Sequence, residues 1–178
     1  MKVTRVDDLP VPSLESHPWQ IREWLNCAPT FDLAEVSGRV LVVEAFQVLC
    51  PGCVARGLPQ MQRVHEQFAG DDLAVIGLHT VFEHHTAQGQ TEVLKAFLHE
   101  NRLTFPIGID EPSPDGPIPH TMHTYQLQGT PSLLLFDRAG RLRLSHFGVV
   151  DDLALGFSIA TLLNESTPVT PAAIQRFG

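Results

Sequence analysis

The sequence predicts an α/β domain, because short apolar runs alternate along the chain with segments whose apolar residues recur at helical spacing. The chain has 178 residues, which is enough for one domain to bury a core without disulfide staples. No internal repeat interrupts the alternation. We therefore expect one α/β domain.

The first predicted elements form two strand-helix pairs. The run "RVLVVEAF" (39–46) is almost unbroken and β-branched, which is typical of a central strand buried on both faces, and it contains the carboxylate Glu44. Apolar residues recur at helical spacing over 58–68, and a second strand is expected over 72–79. A second amphipathic helix over 91–103 completes the order of a right-handed crossover unit.

The later elements are shorter. "FPIGID" (105–110) predicts a strand, and "EPSPDGPIPH", with four prolines in ten residues, predicts a loop. "SLLLFD" (132–137) and "RLRLSHF" (141–147) flank the turn "DRAG" and predict a β-hairpin. Asp151 is the expected N-cap of a last helix, "DLALGFSIATLL".

Charge and hydropathy exclude several classes of partner. The net charge is −8 and the basic residues are mostly scattered, which argues against nucleic acid or an anionic membrane as the partner. The first twenty residues contain no apolar core like that of a signal peptide, and no later run approaches the length of a membrane span. We expect a soluble, cytoplasmic protein, although a chain that had lost a leader would look the same.

The stretch "QVLCPGC" (47–53) carries the clearest chemistry. Three cysteines, Cys27, Cys50 and Cys53, are too few for a disulfide scaffold. Cys50 follows the central strand where a helix should begin near Pro51, and a helix amino terminus stabilises a thiolate. Cys53 is three residues on and can reach Cys50, so one thiolate can attack and the second can release the mixed disulfide.

Two longer segments carry a family resemblance. "APTFDLAEVSGRVLVVEAFQVLCPGC" (28–53) and "TYQLQGTPSLLLFDRAGRLR" (124–143) resemble the thioredoxin-fold thiol-disulfide oxidoreductases, especially the TlpA-like and redoxin branch. The resemblance implies a thioredoxin fold, a central mixed β-sheet flanked by helices on both faces. It also implies an N-terminal extension over 1–27, a thioredoxin-like domain over 28–163 and a C-terminal tail over 164–178.

The resemblance also assigns roles at the dithiol. Cys50 would be the attacking thiol and Cys53 the resolving thiol. Glu44 stands where thioredoxins carry a buried acidic residue, and a carboxylate in an apolar strand should have a raised pKa. It would serve as the base that accepts the proton of Cys53. A core carboxyl that is simply hydrogen-bonded is the alternative for Glu44.

Substrate contacts are implied on two segments. Pro131 stands where the family places a cis-proline facing the dithiol, and the backbone of Thr130 would pair with an extended substrate. Pro51 and Gly52 would complete the contact, because Gly52 leaves room for another chain to approach. The implied partners are disulfides in proteins or small molecules, together with a second dithiol system that reduces, or less expectedly oxidises, the pair.

Two positions depart from the family and keep a second hypothesis open. Leu49 replaces the tryptophan that usually precedes the first cysteine, and Pro59 follows Cys53 by six residues where thioredoxins have five. The spacing resembles peroxiredoxins, in which Cys53 would be the peroxidatic cysteine and Cys50 would resolve it. Phe46 stands where peroxiredoxins carry a proline.

A third hypothesis is a thioredoxin-fold module that binds peptides without turnover. None of the three requires an organic cofactor or a metal. Histidines cluster as His84 with His85 and as His120 with His123, but we assign them no metal because surface placement explains them. A cytoplasmic location would favour the reductive direction.

Overall fold

The computed structural model describes residues 12–70 and 72–165. Six strands form one sheet in the order β1-β4-β3-β2-β5-β6. The strands are β1 (Ile21–Leu25), β2 (Val40–Phe46), β3 (Leu73–His79), β4 (Ile107–Asp110), β5 (Ser132–Phe136) and β6 (Leu142–Phe147). The α-helices are α1 (Leu58–Phe68), α2 (His85–Gln88), α3 (Thr91–Glu100), α4 (His120–Thr124) and α5 (Asp152–Asn164). A 3-10 turn covers Leu33–Val36 and a π-helical turn covers Cys53–Gly57.

The sheet is mixed, as the resemblance implies. β2, β3 and β4 run parallel, whereas β1, β5 and β6 each pair antiparallel with a neighbour. Every residue of β2 is buried, because β2 lies between β3 and β5 and is covered on both faces. The predicted fold class is therefore confirmed.

The two faces of the sheet are covered differently. Both crossover connections, β2-α1-β3 and β3-α3-β4, put their helices on one face, where α5 joins them around Val42 and Phe46. The opposite face, which carries Leu41 and Val43, is covered by the 3-10 turn, by Tyr125 at the end of α4 and by apolar side chains from residues 14–31. The larger helices thus share one face, and this face also receives Glu44 because side chains alternate along β2.

Some elements differ from the sequence predictions. β1 lies inside the segment assigned to the N-terminal extension, where no strand was expected, and it pairs with β4. α3 ends at Glu100 rather than 103, and α4 begins at the last residue of the segment 111–120, predicted as a loop. Asp151 caps α5 by accepting from the backbone N–H groups of Leu153 and Ala154, as predicted.

The domain limits stay predictions. Residues 166–178, which make up most of the expected tail, and residues 1–11 of the expected extension lie outside the described segments. None of the helices in the described part of the chain combines the length and the hydropathy that a membrane crossing requires.

Candidate active site

The two cysteines of the CxxC stretch lie just beyond the carboxyl end of β2. They are joined as a disulfide with their Cα atoms 5.3 Å apart. Cys53 is fully buried, whereas Cys50 is 9% exposed. The backbone N–H of Cys53 points at Cys50 Sγ over 3.2 Å. In the reduced protein the same donor stabilises a Cys50 thiolate, which lowers the energy of the charged form.

A π-helical turn follows the dithiol and explains the position of Pro59. The backbone N–H of Leu58 donates to the Cys53 carbonyl, five residues earlier. A π turn holds one residue more than an α turn. Pro59 therefore stands six residues after Cys53 and lies in the first turn of α1, directly after the π turn.

The loop before β5 faces the dithiol. The Thr130–Pro131 peptide bond is cis. A Cβ atom built on Gly52 would lie 3.2 Å from Pro131 Cδ, so the two loops are in close contact there. The Pro131 carbonyl accepts from the Gly148 N–H over 2.8 Å, which ties this loop to the residues after β6. The structure thus brings Cys50, Cys53, Gly52 and Pro131 together.

Glu44 lies beneath this contact, inside the protein. Its side chain is 2% exposed, and its Oε1 atom has no hydrogen-bond partner among the described residues. Burial raises the pKa of the Glu44 carboxyl well above its usual value. A Cβ atom built on Gly57 would overlap Glu44 Oε1 and lie 3.5 Å from Pro131 Cβ. Gly57 therefore leaves the space that the carboxyl occupies.

Replacing Gly57 by alanine is expected to destabilise the protein. The added methyl group would push the carboxyl of Glu44 out of its place, and overpacking of this kind costs about 1–3 kcal/mol. Urea unfolding measures the change. Gly156→Ala in α5 is the matched control, because a Cβ there meets no atom within 4 Å and alanine favours the helix. A Gly57→Ala protein as stable as Gly156→Ala would contradict the crowding.

Two buried glutamine side chains connect the dithiol loop to its neighbours. Gln88 Oε1 accepts from the Leu49 N–H over 3.1 Å, and Gln88 Nε2 donates to Gln47 Oε1 over 2.8 Å. Gln47 Nε2 approaches Thr130 Oγ1 at 3.4 Å. The backbone of Leu49 and the side chain of Thr130 are thereby linked through the side-chain amides of Gln88 and Gln47. Neither glutamine could be identified as a site residue from the sequence, because an isolated amide side chain belongs to no sequence motif.

Two exposed apolar side chains lie on the dithiol loop and beside the Pro131 loop. Leu49, which stands in place of the family's tryptophan, is 55% exposed. Phe147, at the end of β6, is 53% exposed, and a Cβ atom on Gly129 would lie 2.9 Å from its ring. An aromatic side chain thus packs beside the Pro131 loop from another strand. The sequence signal for Phe147 was weak, because it ends a strand whose other residues alternate between apolar and polar.

The remaining candidate residues do not join this cluster. Within residues 12–70 and 72–165, no group of three or more His, Cys, Asp or Glu side chains is arranged to hold a metal ion. Cys27 is a partly buried free thiol, and burial raises its pKa. A raised pKa lowers the thiolate fraction, so Cys27 is a poor nucleophile compared with a thiol at a helix amino terminus.

The chain is similar in sequence and fold to known proteins. A family model described as the AhpC/TSA family matches residues 23–145. A thioredoxin-like superfamily protein of known structure is 56% identical, with a TM-score of 0.80, over 84% of this chain and 96% of that one. A thiol-disulfide isomerase from Corynebacterium glutamicum is 42% identical, with a TM-score of 0.81, over 90% of this chain and all of that one.

A more distant structure shows only the shared fold. It is a thiol:disulfide interchange protein of the thioredoxin family from Chlorobium tepidum, 16% identical, with a TM-score of 0.62, over 88% of this chain and 99% of that one. Among curated protein sequences, none matches the chain.

Proposed function

The chain belongs to the AhpC/TSA family, and from this premise we propose that it is a reductase of protein disulfides that uses the Cys50–Cys53 dithiol. Its general class is that of a thioredoxin-fold thiol-disulfide oxidoreductase. The proposal adds the direction of transfer, the order of the cysteines, a cytoplasmic location and a place in the TlpA-like branch. Disulfides in small molecules are the other substrates that the same chemistry admits.

The reaction proceeds in two exchanges. The Cys50 thiolate attacks one sulfur of the substrate disulfide, forming a mixed disulfide and releasing the first substrate sulfur as a thiolate. Cys53 then loses its proton to Glu44 and attacks Cys50 Sγ, which releases the second substrate sulfur. Two electrons pass to the substrate, and the enzyme is left with the Cys50–Cys53 disulfide. A separate dithiol partner restores the reduced pair.

The observation that carries the order of attack is the difference in exposure between the two sulfur-bearing residues. Cys50 keeps a small exposed area beside the exposed Leu49, whereas Cys53 is covered completely. Only a thiol at the surface can meet the disulfide of another protein. Cys50 also receives the N–H donor that stabilises its thiolate.

The reductive direction goes with the proposed cytoplasmic location, because thiols there are kept reduced. A dithiol that its surroundings keep reduced passes its electrons to substrate disulfides.

Limiting alkylation of the reduced protein tests the order of attack. We expect substoichiometric iodoacetamide at neutral pH to label Cys50 first, because Cys53 is protected by its complete burial and Cys27 by its raised pKa. Peptide mass spectrometry measures the label at each cysteine. Preferential labelling of Cys53 would overturn the assignment.

A thiol peroxidase is the second candidate, favoured by the family match and by the π-helical turn that begins at Cys53. There Cys53 would attack peroxide and become a sulfenic acid, releasing water, and Cys50 would condense with it to the disulfide and release a second water. The complete burial of Cys53 opposes this, because peroxide must reach the thiolate. Dimedone trapping in Cys50→Ser after peroxide treatment separates the two: a labelled Cys53 would favour the peroxidase.

A further inference from the structure

A cavity lies beyond the carboxyl ends of β3 and β4, apart from the dithiol. Its volume is about 290 Å³, and none of the active-site residues named above lines it. This edge of a parallel sheet is where α/β proteins commonly bind ligands. The lining side chains that matter for its chemistry are Arg22, His79, Val81, His85, Ile109 and Asp110.

His79 is the buried polar group of this cavity. Its side chain is 2% exposed, and neither ring nitrogen has a hydrogen-bond partner within the described segments. Burial, with a smaller contribution from the charge of Arg22, lowers the pKa of His79 to about 4. The ring is therefore neutral at physiological pH and offers one N–H donor and one acceptor. A buried polar side chain without a partner normally costs stability, so the ring is available to bind a molecule that enters the cavity.

Arg22 supplies a positive charge at the mouth of the cavity. It lies in β1 where the pairing with β4 shifts register between Ile21 and Glu23. Such irregularities re-aim a side chain and are common beside functional sites. Arg22 forms no salt bridge with any described residue. Its guanidinium is thus free to pair with an incoming anion.

Asp110 limits which anion can enter. Both of its carboxylate oxygens already accept hydrogen bonds, from the Thr80 hydroxyl at 2.9 Å and from the Thr121 and Met122 N–H groups at 2.8 and 2.9 Å. It contributes a negative charge to the lining without needing a ligand. A singly charged anion is therefore favoured over a doubly charged one such as phosphate.

We propose that this cavity binds a small monocarboxylate with an apolar body. Arg22 pairs with the carboxylate through its planar fork, and the His79 ring donates a further hydrogen bond to it. Val81 and Ile109 contact the apolar part. Binding at this site does not require disulfide exchange, so the proposal does not depend on the reductase function.

Titration of the full chain in its disulfide form tests the site. The probes are phenylacetate, its uncharged match phenylacetamide, and inorganic phosphate. Calorimetry measures the affinity of each. We expect saturable binding of phenylacetate, and binding of the other two that is weaker by at least about tenfold. Arg22→Gln should weaken phenylacetate binding by at least about tenfold, since it removes the positive charge at the mouth of the cavity. The matched control is Arg102→Gln, because Arg102 is exposed and does not line the cavity. This variant should bind phenylacetate as the wild type does.

A second measurement follows His79 without a substitution in the core. The ring nitrogens of His79 should stay neutral in NMR spectra to about pH 4, and phenylacetate should shift their signals while phenylacetamide shifts them less. Three results would overturn the proposal: no saturable phenylacetate binding, equal binding by Arg22→Gln, or phosphate binding as tight as that of phenylacetate. Unmoved His79 signals at saturation would remove the ring from the site.

Discussion

Cys50→Ser is expected to abolish the reduction of insulin disulfides, with a rate loss of at least about a thousandfold. The hydroxyl that replaces the thiol remains protonated at neutral pH and cannot attack a disulfide sulfur. Cys53 cannot take over, because it is fully buried, whereas Cys50 keeps a small exposed area beside Leu49. Turbidity of reduced insulin, with dithiothreitol as the electron source, measures the rate.

Cys53→Ser separates this mechanism from its alternatives. It keeps the attacking thiol but removes the resolving one, so a mixed disulfide between Cys50 and the substrate should accumulate and appear on a non-reducing gel. Cys27→Ser is the control, because that thiol lies outside the cluster and its replacement should leave insulin reduction unchanged. An adduct that forms at Cys53 in Cys50→Ser, with none in Cys53→Ser, would reverse the assigned order.

The parts of the fold that could be predicted are the strands and helices whose pattern of apolar residues follows directly from which faces are buried. β2 is buried on both faces and therefore reads as an unbroken β-branched run, and α1 presents one apolar stripe to the sheet over the predicted residues. β1 could not be predicted in this way. Its five residues, "IREWL", form an edge strand whose pairing with β4 shifts register between Ile21 and Glu23, so their polarity does not alternate. α2 and α4 have four and five residues, too few for a helical repeat to appear.

The candidate site divides in the same way. The cysteine pair and the Thr130–Pro131 step are local motifs, so the sequence could indicate them. Gln88 could not be found, because its role depends on how the segment after β3 folds back against Leu49. The offset of Pro59 was visible, but its cause is an additional residue in the turn after Cys53, which only backbone hydrogen bonding reveals.

Glu44→Gln is expected to slow the resolution of the mixed disulfide while leaving the first attack nearly unchanged. Loss of a positioned base costs about a hundredfold or more in a proton-transfer step. Glutamine has almost the same shape as glutamate, so it should fit the space beside Gly57. Rapid-mixing experiments with a disulfide substrate give the two steps separately. Equal slowing of both steps would indicate a structural role, and an unchanged resolution rate would remove Glu44 from the mechanism.

The pH dependence of stability gives an independent test of the state of Glu44. Because the folded-state pKa is raised, the folded protein holds this proton more tightly than the unfolded chain does. The free energy of unfolding should therefore fall as the pH rises from the unfolded value, 4.5, through the folded pKa, and remain lower above it.

Glu44→Gln lacks the titrating group, so its free energy of unfolding should rise relative to that of the wild type across that window. His79 and Asp110 also titrate with shifted pKa values, but they are common to both proteins and cancel in the difference. Parallel curves for the two proteins would mean that the pKa of the Glu44 carboxyl is not raised, and its carboxylate would then be too weak a base to take the proton of Cys53 efficiently.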